Sequence, residues 1–72
     1  MDDLLALARH YVLNARRIVD RQRRAVEALD SAGRDATEAR KTLDLFERTL
    51  NIFEDHLRRL TEGANARRWA LA

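Results

Sequence analysis

Cysteine and proline are absent from this chain, and glycine occurs only at Gly33 and Gly63. Without cysteine, a disulfide framework and a thiolate metal site are both excluded. The lack of thiols also fits a reducing cytoplasm. No apolar run approaches the roughly 20 residues that a membrane span requires. The opening Met-Asp-Asp is acidic and no apolar run follows it, the reverse of a secretory leader. A cytoplasmic location without membrane contact is therefore expected. Charge of one sign is lacking too. Fourteen Lys and Arg residues face twelve Asp and Glu residues, for a net charge of +2. A strongly basic nucleic-acid binder would show a larger excess. With 72 residues there is room for one domain. A single core of that size is marginal, and without disulfides or metal the remaining remedy is association.

What the chain does have is helical periodicity. Apolar residues recur at alternating spacings of four and three through Leu4, Ala8, Tyr11, Ala15 and Ile18, and then at Ala25, Leu29 and Ala32, with Gln22 as the one polar member. The same pattern runs through Ala36, Ala39, Leu43, Phe46, Leu50, Phe53, Leu57, Leu60 and Ala64. Spacings of this kind describe one stripe of an amphipathic helix. No segment alternates with period two, so strands are not expected. A reversal near Gly33 pairs the two series in antiparallel layers, with Leu29 opposite Ala39, Gln22 opposite Phe46, Ala15 opposite Phe53 and Tyr11 opposite Leu57. Small residues then face large ones in most layers, as an interdigitated seam requires.

The boundaries follow from end signals. Helix one is expected over about 2–32, with Asp2 and Asp3 at the positive end of its dipole. Gly33 suits the left-handed position past a helix end. Asp35-Ala36-Thr37-Glu38 reads as a capping box in which Asp35 and Glu38 cap each other's amides. The turn is then 33–35, and helix two covers about 36–62. Gly63 is a second candidate stop, which would leave 63–72 as a short C-terminal segment carrying Trp69. The fold class is all-α: one antiparallel, coiled-coil-like two-helix hairpin.

Two helices cannot cover a wide apolar arc. Beside the predicted seam of helix one lies a second stripe, Leu5, Val12, Val19 and Val26, which widens its arc to roughly 100°. Helix two has Leu45 and Ile52, flanked by Thr42 and Thr49. These stripes are expected to project to opposite sides of the hairpin. They are the candidate contacts for self-association, with a dimeric four-helix bundle as the simplest closed form. A different protein partner is a second option. Gln22, in mid-seam, is the kind of polar residue that pins register.

The arginine distribution raises an alternative. Arg9, Arg16, Arg17, Arg23 and Arg24, with Arg21, form a dense basic face on helix one, and lysine occurs only once, at Lys41. Arginine binds phosphates and carboxylates with a planar fork, which makes this face a candidate phosphate-backbone contact. Against it, Asp20 and Glu27 lie three or four residues from several of these arginines, the spacing of ordinary surface ion pairs. Chemistry beyond binding has little to stand on. Glycine-rich phosphate loops and nucleophile elbows are missing, and Glu54, Asp55 and His56 are consecutive and so point in different directions on a helix. No catalytic residue, cofactor or metal is assigned.

The segments Arg17-Ile18-Val19-Asp20-Arg21-Gln22, Leu29 through Gly33 with Asp35, Leu45-Phe46-Glu47, and Leu50 through His56 resemble a group of short bacterial helical-hairpin proteins of unknown function. The likeness covers about residues 10–60. It implies the hairpin fold and a bacterial source, and it brings no activity or site with it.

Overall fold

Gly33 takes a positive φ of 68° and turns the chain back on itself. The computed structural model describes residues 2–71, the side chains of Asp2, Trp69 and Leu71 excepted. Helix α1 spans Asp2–Ser31 and helix α2 spans Thr37–Leu71. At the end of α1 the Arg34 amide donates to the Leu29 carbonyl at 2.9 Å and the Gly33 amide to the Asp30 carbonyl at 3.0 Å. This pair of bonds closes the helix around a left-handed residue. An L side chain there costs about 1–2 kcal/mol, which is why glycine occupies the position.

Asp35 opens α2 differently from the expected capping box. Its carboxylate accepts the Thr37 amide at 3.0 Å and the Thr37 hydroxyl at 2.5 Å. Glu38 does not reach back; it pairs with Lys41 at 3.4 Å. The Thr37 hydroxyl is the competitor that redirects the cap. Its hydrogen bond, then that of the Thr37 amide, holds the Asp35 carboxyl below the usual carboxylate range, and Arg40 adds attraction.

Gly63 does not end α2. The helix runs through it to Leu71, so the expected break at 62 and the separate segment 63–72 are corrected. A mid-helix glycine costs about 1 kcal/mol against alanine. The surrounding Glu62, Ala64, Ala66, Arg67 and Arg68 are good helix formers, and they carry the helix across it. The side chain of Trp69, which that segment was expected to carry, lies outside the described side chains.

The two helices pack along their length into a rod of 59 × 15 × 13 Å. The seam of α2 is the expected one: Ala36 is buried, and Ala39, Leu43, Phe46, Leu50, Phe53, Leu57, Leu60 and Ala64 are all half-buried. The seam of α1 is not. Ala8, Val12, Ala15, Val19 and Val26 are buried and Leu5, Gln22 and Leu29 half-buried, while Leu4, Tyr11, Ile18 and Ala25 are exposed. Both versions share Ala8, Ala15, Gln22 and Leu29. They differ in which neighbouring stripe joins them, a rotation of α1 by about 60°. Valine alternating with alanine makes a slim seam that lets the helix axes approach. The bulkier Tyr11 and Ile18 are left on the flank.

Gln22 sits in the seam as expected, but its Nε2 donates to the Ala39 carbonyl at 3.3 Å. The Tyr11 ring stacks on Phe53, centroids 5.8 Å apart, and not on Leu57. Among the described residues no leucine, isoleucine or aromatic side chain is fully buried; the core holds only alanine and valine.

Candidate functional site

The rotation of α1 gives the hairpin two unlike edges. On one, residues at seven-residue steps meet their opposites across the seam. Arg16 pairs with Glu54 at 3.3 Å, Arg23 with Glu47 at 3.4 Å, and Asp30 with Arg40 at 2.6 Å. The charge order is Arg, Arg, Asp on α1 and Arg, Glu, Glu on α2. Read antiparallel, every step is complementary. These pairs are well exposed, and each contributes at most about 1 kcal/mol. Their larger effect is to select the rotation, since only a helix turned this way brings Arg16, Arg23 and Asp30 within reach of α2. This signal was available in the sequence, as two matched series of charges, and the apolar spacing obscured it.

Two sequence expectations change here. Leu5, Val12, Val19 and Val26 are not a leftover stripe; the first is half-buried and the other three form the hairpin's own core. They are spent within one chain because the seam runs through them. Nor is the arginine line a free basic surface. Arg16 and Arg23 are engaged by Glu54 and Glu47, while Arg9, Arg17 and Arg24 stay exposed. The local pairing partners expected on α1, Asp20 and Glu27, are displaced by acids of the other helix.

The opposite edge is apolar. From α1 it presents Leu4, Leu7, Tyr11 and Ile18, all more than 40 % exposed, and then Ala25. From α2 it presents Leu45, 61 % exposed, and Ile52, 66 % exposed. Helical spacing puts both sets on the same side of the rod. Near the open end Leu4, Leu7, Ala8 and Tyr11 share a groove with Phe53 and His56 of α2. The expected valine stripe projects to neither side, because the rotation of α1 takes it into the seam, and the residues left exposed on α1 include Leu4, Tyr11 and Ile18 of the expected seam. Leu45 and Ile52 are exposed, as expected of a surplus stripe.

Between these apolar side chains the polar groups are turned away. The Thr49 hydroxyl donates to the Leu45 carbonyl at 3.0 Å, and the Thr42 hydroxyl to the Glu38 carbonyl at 3.1 Å. Each threonine satisfies its hydroxyl on its own helix and leaves its methyl for the surface. Asn14 lies within 3.3 Å of His10, through Nδ2 and Nε2. The edge is therefore more apolar than its composition suggests.

Comparison with protein-family models, with curated proteins and with solved structures finds no match to this chain. The functional reading rests on the surfaces alone.

A third feature lies on the outward face of α1, where Arg17, Asp20, Arg21 and Arg24 line a shallow depression of about 310 Å³. Elsewhere the charges resolve locally: Arg48 pairs with Asp44 at 2.9 Å, and Asp55 is shared by Arg58 and Arg59. Among the described residues, no group of His, Asp and Glu side chains is placed to hold a metal ion, and no ionisable side chain is buried. No described helix is long and apolar enough to cross a membrane.

Proposed function

We propose that this protein is a small, non-enzymatic interaction module that works as a homo-oligomeric helical bundle, two hairpins joining through their apolar edges. The observation that carries the reading is the set of exposed apolar side chains Leu4, Leu7, Tyr11, Ile18, Leu45 and Ile52, which helical spacing places on one side of a hairpin whose core contains no large side chain. A compact monomer of this mass exposes about 4,600 Å². The hairpin exposes 6047 Å². That surplus of about 1,400 Å² per chain exceeds the ~800 Å² that each partner contributes to a standard protein interface. Association also completes the half-buried layers of Phe46, Leu50 and Phe53, which a two-helix rod leaves partly in water.

Sedimentation equilibrium tests this directly. The wild-type chain is expected to sediment as a dimer at micromolar concentration. Ile52→Asp, changing a residue exposed in the single hairpin, is expected to shift the equilibrium toward monomer. Each copy then loses about 2 kcal/mol of apolar burial, and the two symmetry-related losses weaken a dimer by about a thousandfold. A folded monomer at all concentrations, or an Ile52→Asp dimer as tight as wild type, overturns the proposal.

A further inference from the structure

Arg9 apart, the arginines of α1 divide into two classes that the sequence does not separate. Arg16 and Arg23 are answered by Glu54 and Glu47 across the seam. Arg17, Arg21 and Arg24 are not on that edge. They follow one another at i, i+4 and i+7, turned away from α2, and their side chains converge on one depression with Asp20. Among the described residues Asp20 makes no ion pair within 4.0 Å with any of them, in contrast to the seven pairs found elsewhere. Three guanidiniums and one carboxylate leave two positive charges in excess at one spot of a chain whose whole net charge is +2.

That concentration has no structural return. Like charges at i, i+4 and i, i+3 destabilise a helix by a few tenths of a kcal/mol per pair. No element packs on this face to be held by them. The three forks lie in a row along a straight helix, and each can present two parallel N–H donors to one oxyanion. From these observations we infer that Arg17, Arg21 and Arg24 form a contact site for the phosphodiester backbone of nucleic acid. A rigid helical row suits successive phosphates along a strand. The surface is also bare of aromatic side chains, so it reads no bases by stacking and carries no sequence preference of its own. The inference stands apart from the apolar edge and does not depend on assembly.

Three phosphate contacts per hairpin fix the expected salt dependence. The logarithm of affinity for duplex DNA falls with that of salt concentration at a slope of about −2.7, and more steeply if two hairpins engage one duplex. Between about 50 and 200 mM salt, binding weakens about fortyfold. The test is fluorescence anisotropy with a labelled DNA duplex of arbitrary sequence, across that salt range. The site variant is Arg17→Gln/Arg21→Gln/Arg24→Gln, which keeps good helix formers. The control is Arg48→Gln/Arg58→Gln/Arg59→Gln, which removes the same charge from arginines already paired with Asp44 and Asp55. The slope should collapse toward zero in the site variant and persist in the control, with the helical circular dichroism of both retained. No binding by wild type at low salt overturns the inference. So does a slope lost equally in both variants, or binding to phosphatidylserine vesicles without binding to the duplex. Sedimentation of the same samples separates this result from the fate of the dimer.

Discussion

Whether Val19 or its neighbour Ile18 belongs to the seam of α1 can be settled by trimming each to alanine. Val19 is 2 % exposed and Ile18 43 % exposed, although they are adjacent in the chain and alike in chemistry. Val19→Ala removes two buried carbons, about 1.6 kcal/mol of transfer energy, and leaves a cavity between packed helices. The cavity adds about 1 kcal/mol and alanine regains about half a kcal/mol through its better helix propensity, for a net loss of about 2 kcal/mol. Ile18→Ala removes three carbons, but from a side chain already nearly half in water. With the same propensity gain its net cost to the single hairpin stays below about 1 kcal/mol. In a domain of this size each kcal/mol moves the melting temperature by about 4–8 °C. Val19→Ala should therefore melt about 8–16 °C below wild type, and Ile18→Ala within about 8 °C of it. The assay is thermal unfolding followed by circular dichroism over a series of protein concentrations. At the dilute end only the hairpin's own packing is read. At the concentrated end Ile18→Ala should also lose part of the concentration-dependent rise that assembly confers. If Ile18→Ala costs as much as Val19→Ala in the dilute limit, the valine stripe is not the seam. The account of the two edges would fail with it.

Two further perturbations test the backbone signals. Gly63→Ala should stabilise the protein by about 1 kcal/mol, raising its melting temperature by several degrees. The reason is that Gly63 lies inside α2 and an added Cβ would meet nothing within 4 Å; no change on thermal unfolding would mean that the helix is interrupted there. Asp35→Ala should lower the melting temperature at neutral pH by removing the acceptor for Thr37. The hydrogen bonds from the Thr37 hydroxyl and amide hold the folded carboxyl below its ordinary value of 3.8. Its contribution is therefore complete above the unfolded value and is lost as pH falls through the folded one. The gap between Asp35→Ala and wild type should close on acidification below about pH 4, and a gap independent of pH would refute the cap.

The place of the turn was legible in the sequence to within a residue or two at each helix end, because its signals are local. Gly33 is demanded by a backbone dihedral and Asp35 by an orphan amide, and neither requires knowledge of what packs elsewhere. The partner of the Asp35 carboxylate was misread: it accepts the Thr37 amide and hydroxyl in place of the Glu38 amide. Gly63 was misread as well. Its helix-stopping tendency is a small local term, outweighed by the helix-forming residues on either side. The seam of α2 could be read directly, since its large residues lie in one long stripe and the neighbouring stripe has only Leu45 and Ile52 to set against it. In α1 two stripes share Ala8, Ala15, Gln22 and Leu29, and hydrophobicity alone cannot choose between Tyr11 with Ile18 and Val12 with Val19.

By itself, then, the sequence determined that there are two helices, where the chain reverses, and which face of α2 is covered. These are consequences of spacing and of backbone chemistry that act over a few residues. Only the tertiary structure decided the rotation of α1. That depends on how closely two helix axes approach and on whether Arg16, Arg23 and Asp30 can reach Glu54, Glu47 and Arg40. From that one rotation follow the burial of the valines, the meeting of Leu4, Tyr11, Ile18, Leu45 and Ile52 on a single edge, and the separation of engaged arginines from the row at Arg17, Arg21 and Arg24. The surfaces available for function are those left over when the helices choose how to face each other, and that choice is a property of the pair and of neither helix alone.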